Sequence, residues 1–139
     1  MNTMSASELR FFRGMFIAAA IWNLCGGVLG YFNPELAFRL LFDRSAGDPV
    51  LLSVFQGATG TTFTYFFGYL IVAFNPLRHT GIVILGGIGK VGFAIQMLKF
   101  YSASLANANA LVIVVGDVVF GALFLYYFYR LLKTGNKLI

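Results

Sequence analysis

The chain has 139 residues, of which 59% are hydrophobic, 17% aromatic and 11% charged. Soluble domains carry about 25% charged residues, so this deficit, with a mean hydropathy of +0.82, excludes an ordinary soluble domain. The net charge of +5 does not point to nucleic acid, because the basic residues sit at the ends of apolar runs, where membrane topology explains them.

The chain opens on a polar segment with Glu8, and no good small-residue cleavage site follows its apolar run. The run is read as a retained first span, not a cleaved signal peptide. Four stretches are long and apolar enough to cross a bilayer, at about 14–32, 51–74, 80–100 and 107–129. Spans one and two both end in Phe-Asn-Pro, at Phe32-Asn33-Pro34 and Phe74-Asn75-Pro76. Proline disfavours helical geometry in the residue before it, so both tripeptides read as stop signals. Either coincident capping chemistry or a duplicated helical hairpin would produce the repeat. Between spans one and two, the segment from Pro34 to Phe42 is too apolar for a solvated loop. It reads as a short helix, either lying in the headgroup boundary through Leu36, Leu40 and Phe38 or capping the bundle mouth. Asp43 to Pro49 reads as a turn.

Four spans put both termini on one side. That side carries Arg10, Arg13, Arg78, Arg130, Lys133 and Lys137, against Arg39, Arg44 and Lys99 on the other. The bias predicts cytoplasmic termini in a bacterial-type inner membrane. Tyr126, Tyr127 and Tyr129 suit the interfacial aromatic belt. The expected fold is all-α: an integral membrane four-helix bundle, one domain over the whole chain, with a short interfacial helix after span one.

Lys90 and Asp117 each lie near the middle of a span, where an ionised side chain costs about 2.5–3.5 kcal/mol on insertion scales. Lys90 precedes the connection between spans three and four by as much as Asp117 follows it, so the two share one depth on neighbouring helices. Asn23 and the Thr61–Thr62 pair stand at the centres of spans one and two. Small residues share these faces: Ala19, Gly26, Gly27 and Gly30 with Asn23; Gly57 and Gly68 with Thr61, in one stripe with Thr64 and Tyr65; Gly86, Gly87 and Ala94 with Lys90; Ala110 and Gly121 with Asp117. Small faces let membrane helices approach. Lys90, Asp117, Asn23, Thr61 and Tyr65 are therefore the candidate ligand-binding or ion-pair residues. The pair is either a functional site or a structural fastening that fixes helix register. Beside it, an internal cavity is expected. Gln56 and Gln96 lie nearer the outer interface, and Trp22 and Cys25 read as packing residues.

Several motifs are excluded. Gly87, Gly89 and Gly92 spell GxGxxG, but inside an apolar helix with no preceding strand. Lys90 follows Gly89 as in a Walker A end, yet Ile84 and Val91 stand where Gly and Ser or Thr are required. Gly26 and Gly30 form a GxxxG that marks close helix packing, within the bundle or between protomers. The single Cys25 and single His79 exclude a disulfide, a thiolate metal cage and bis-histidine haem ligation. No metal and no cofactor are expected.

The layout resembles the small bacterial DoxX-like membrane proteins. The resemblance rests on four spans, the Pro-led outer segment after span one, and Asn75-Pro76 before span three. It covers the whole chain at the level of architecture, and it implies redox or quinone-linked association, as in some members. No functional residue is transferred by it. The leading functional expectation is a small membrane subunit or accessory protein that binds a lipidic ligand, such as a quinone or lipid, at the polar midplane. The alternatives are a proton-coupled transporter, oligomeric because four helices are few for alternating access, and a purely structural assembly subunit of a larger membrane complex. A membrane enzyme is weaker, since an acid–base pair is present without a nucleophile, metal cage or thiol pair. The bilayer itself is the one partner that composition demands.

Overall fold

A computed structural model of the chain describes residues 4–136. Lys137, counted above among the cations of the terminal side, lies outside them. The described residues form five helices and no strand: α1 (Ala6–Phe32), α2 (Pro34–Phe42), α3 (Pro49–Phe74), α4 (Thr80–Ser102) and α5 (Asn109–Lys133). Among them α1, α4 and α5 are long and apolar enough to cross a membrane. α3 is as long, at 26 residues, and carries no charged side chain, but it is not among them. Gln56, Thr59, Thr61, Thr62 and Thr64 place polar groups along its first two-thirds.

The helix ends follow local chemistry. α1 begins well before position 14, where the apolar pattern starts. Ser5 and Glu8 make a reciprocal capping box: the Ser5 hydroxyl accepts from the Glu8 amide, and the Glu8 carboxylate accepts from the Ser5 amide at 2.9 Å. That box satisfies amides that the first turn leaves open, so the helix starts in the polar segment. α1 and α3 stop at Phe32 and Phe74, at the two Phe-Asn-Pro tripeptides. Asn33 closes α1 and opens α2, its side chain accepting from the Leu36 amide at 3.3 Å. Asn75 instead accepts from the Leu77 amide at 3.3 Å and starts the turn toward α4. Asp48 caps α3, accepting from the Val50 amide at 2.8 Å, with Pro49 in the first turn.

α1 packs along α3, and α4 along α5; contacts between the two pairs are sparser. Gly27 and Gly30 bring α1 onto α3, where their missing side chains leave room for Phe63 and Thr59. Gly26, the other half of the GxxxG, faces open space. Gly30 thus serves packing inside the chain.

An aromatic core closes the end that carries both termini. Phe12 and Phe16 of α1, Tyr69 of α3 and Phe124 and Tyr127 of α5 are all buried. The Tyr127 ring stands edge-on to Phe16 and Phe12, at 5.1 and 5.2 Å between centroids, and Tyr69 lies 5.3 Å from Phe124. Arg130 pairs with Glu8 beside this core. Tyr127 also donates its hydroxyl proton to the buried Pro76 carbonyl in the α3–α4 turn. Tyr127→Phe would leave that carbonyl dry and unpaired, at a cost of about 1–3 kcal/mol. A lowered melting temperature in detergent, with helix content unchanged by circular dichroism, is the expected reading.

At the opposite end α2 bridges the two helix pairs. Phe38 and Phe42 pack against Phe55 of α3, and Phe42 lies 5.7 Å from Phe100 of α4. Asn107 and Asn109 both donate to the Leu40 carbonyl, at 2.9 and 2.8 Å. Leu36 and Leu40 face outward, whereas Phe38 is buried. Phe38 therefore belongs to the inner face of α2, because only that face meets the rings of α3.

Candidate functional site

The polar layer lies between the aromatic core and the α2 end. The four long helices supply it. The Lys90 ammonium, on α4, donates to Asp117 Oδ1 of α5 at 2.8 Å and to Asn23 Oδ1 of α1 at 2.9 Å. The Asn23 amide in turn donates to the Thr62 carbonyl of α3 at 3.2 Å. The Trp22 indole N–H donates to Asp117 Oδ1 at 3.1 Å. Lys90, Asp117 and Asn23 are each 5–6% exposed, so the network is dry enough for every unmade bond to matter. The rings of Phe120 and Tyr69 complete the surround, with centroids 5.2 and 5.9 Å from the Lys90 nitrogen. Cation–π contact of this kind contributes about 0.5–2 kcal/mol.

The site residues singled out above divide into two groups. Lys90, Asp117 and Asn23 meet in direct contact. Thr61 does not join them: it is exposed, and its hydroxyl bonds back to the Gly57 carbonyl of its own helix at 3.2 Å. The neighbouring turn of α3 enters the layer through the Thr62 backbone instead. Tyr65 is half-buried one turn from Tyr69, 5.8 Å between rings, and lies beside Gly86. It borders the layer without bonding to it. Gln56 donates to the Tyr31 carbonyl at 2.8 Å and is a strut between α1 and α3.

Trp22, read from sequence as packing, is part of the network. A glycine makes its place: a side chain at Gly116, the residue before Asp117, would run into the indole. A buried indole N–H needs an acceptor, and Trp22 adjoins Asn23, so its nearness to the layer was a usable signal. Tyr69 was also missed. It is fully buried and its hydroxyl has no partner.

A groove of about 650 Å³ runs between α4 and α5 on the outer surface. Its walls include Gly87, Val91, Val118, Gly121 and Phe124, and Asp117 is the one polar residue among them. Asn23, Lys90 and Thr61 do not line it. The groove is lateral, and Asp117 is where it meets the polar layer. The reason is the pairing of helices: Asn23 and Trp22 fill the interior side of the ion pair, while Gly87 and Gly121 thin the α4–α5 seam on the outside.

Among the described residues, no group of three His, Cys, Asp or Glu side chains could hold a metal ion. No protein-family model, curated protein or solved structure matches the chain.

Proposed function

We propose that the chain is a small integral membrane subunit or accessory protein that binds a lipidic ligand, such as a quinone or lipid, in the groove beside Asp117. In this reading α3 joins the three apolar helices to complete a four-helix membrane bundle. α2 lies at the outer interface through Leu36 and Leu40, and both termini are cytoplasmic in a bacterial-type inner membrane. The observation that carries the reading is the single carboxylate in the wall of an otherwise hydrocarbon groove. Ligand sites combine apolar walls with a few placed polar groups, and ionisable residues at membrane depth default to function. The architectural likeness to DoxX-like proteins is in keeping with it.

Trp22 is the sole tryptophan and is bonded to the groove's carboxylate, so its emission reports the site directly. In lipid nanodiscs, a brominated lipid is expected to quench Trp22 saturably, and Gly121→Leu, which fills the groove, to abolish saturation. Unsaturable quenching identical in the variant would refute ligand binding there. A structural reading has one observation in its favour, namely that Lys90 already has two oxygen acceptors and two ring faces around it. In that case the network fastens four helices and the groove holds only bulk lipid.

A further inference from the structure

We infer that the groove selects a lipid alcohol, a long-chain neutral molecule whose single hydroxyl donates to the free oxygen of Asp117. The inference rests on the ligand-binding reading above and narrows it. Both hydrogen bonds to the carboxylate, from Lys90 and from Trp22, end on Oδ1. Among the described residues, no bond ends on Oδ2. The buried side-chain polar atoms without a partner are Tyr69 Oη and Arg130 Nε among the described residues. Oδ2 is therefore unpartnered but not sealed, and Asp117 lines the groove. Its remaining surface opens there.

An ionised carboxylate only accepts hydrogen bonds. The other walls of the groove are Gly, Ala, Val, Ile, Leu and Phe. The nearby donors, the Lys90 ammonium and the Trp22 indole, both bond to Oδ1, and neither residue lines the groove. A carbonyl head thus finds no donor. A phosphate head meets like charge with no free cation. An ammonium head would add a whole charge to hydrocarbon walls beside a carboxylate that Lys90 already neutralises. A hydroquinone brings two hydroxyls to one acceptor and leaves the second dry. A single hydroxyl on a long apolar chain leaves nothing unpaired.

The test uses the full chain in detergent micelles and two probes, geranylgeraniol and its methyl ether, titrated by native mass spectrometry. The alcohol is expected to bind at least about tenfold more tightly, the ratio that about 1.4 kcal/mol gives; hydrogen bonds to charged groups reach that size. Gly121→Leu should weaken both probes. Equal binding of alcohol and ether, weakened alike by Gly121→Leu, would overturn the hydroxyl selectivity and leave the lipid groove standing. An alcohol preference that survives Gly121→Leu unchanged would place the selection elsewhere and overturn the assignment. No binding of either probe to the unaltered chain would remove both readings. The alcohol–ether comparison needs no variant, so it decides the question even where Gly121→Leu folds poorly.

Discussion

Lys90→Met should destabilise the fold more than the double change Lys90→Met with Asp117→Leu. In the single variant the Asp117 carboxylate stays buried with only the Trp22 N–H at 3.1 Å to oppose its charge. In Asp117→Leu the Lys90 ammonium keeps Asn23 at 2.9 Å but has lost its counter-charge. Stranding one member of a buried pair costs about 3–5 kcal/mol, whereas replacing both with apolar groups is often near neutral. A double-mutant cycle from thermal melts in one detergent therefore should give a large coupling energy. Simple addition of the two single effects would show that the contact at 2.8 Å contributes no coupling. The Asn23 amide donates to Thr62 as well, so Asn23→Leu should reproduce part of the loss without touching either charge.

The second large effect falls at the α1–α3 seam, and adjacent glycines supply its control. A Cβ built at Gly27 would lie 2.6 Å from both the Cα and the amide nitrogen of Phe63. Those are backbone atoms of a packed helix and cannot step aside as a side-chain tip can. Gly27→Ala should thus push the helices apart, at about 1–3 kcal/mol for overpacking, and shift Asn23 away from Lys90 one turn along. At Gly26 the same methyl meets open space, and Ala gains about 1 kcal/mol in helix propensity over Gly. Gly26→Ala is expected to leave the melting temperature unchanged or slightly raised. Equal losses at both positions would mean that the seam is looser than the close approach of Phe63 implies.

Depth was easy to read from this sequence, and rotation was not. Lys90 and Asp117 could be matched because each position is counted from a short connection, and helical rise does not depend on side chains. Their contact follows from depth and adjacency alone. α3 gave no such purchase. Thr59, Thr61, Thr62 and Thr64 point around most of its circumference, since one residue is about 100° of turn, so periodicity could not say which one faced inward. Moreover, what α3 offers the layer is the Thr62 carbonyl, a backbone atom that every residue type carries. The start of α1 lay outside the apolar run for a different reason. Hydropathy marks where a helix could meet lipid, while the Ser5–Glu8 box marks where it begins. The groove was hidden because its shape depends on how the side chains of α4 and α5 meet around Gly87 and Gly121, not on either residue by itself.

The order of the polar network along the chain bears on biosynthesis. Ribosomes deliver Asn23 and Thr62 first, then Lys90, and Asp117 only 27 residues later. A nascent chain entering a bilayer would therefore present the α4 cation before its carboxylate has been translated. During that interval the Asn23 carbonyl oxygen, already held by the α1–α3 hairpin, is the acceptor at hand. α4 has reason to wait at the translocon until α5 emerges, so that the two cross as a neutralised unit. Lengthening the connection after Ser102 would prolong the wait, and insertion efficiency, more than final stability, is where that delay would register.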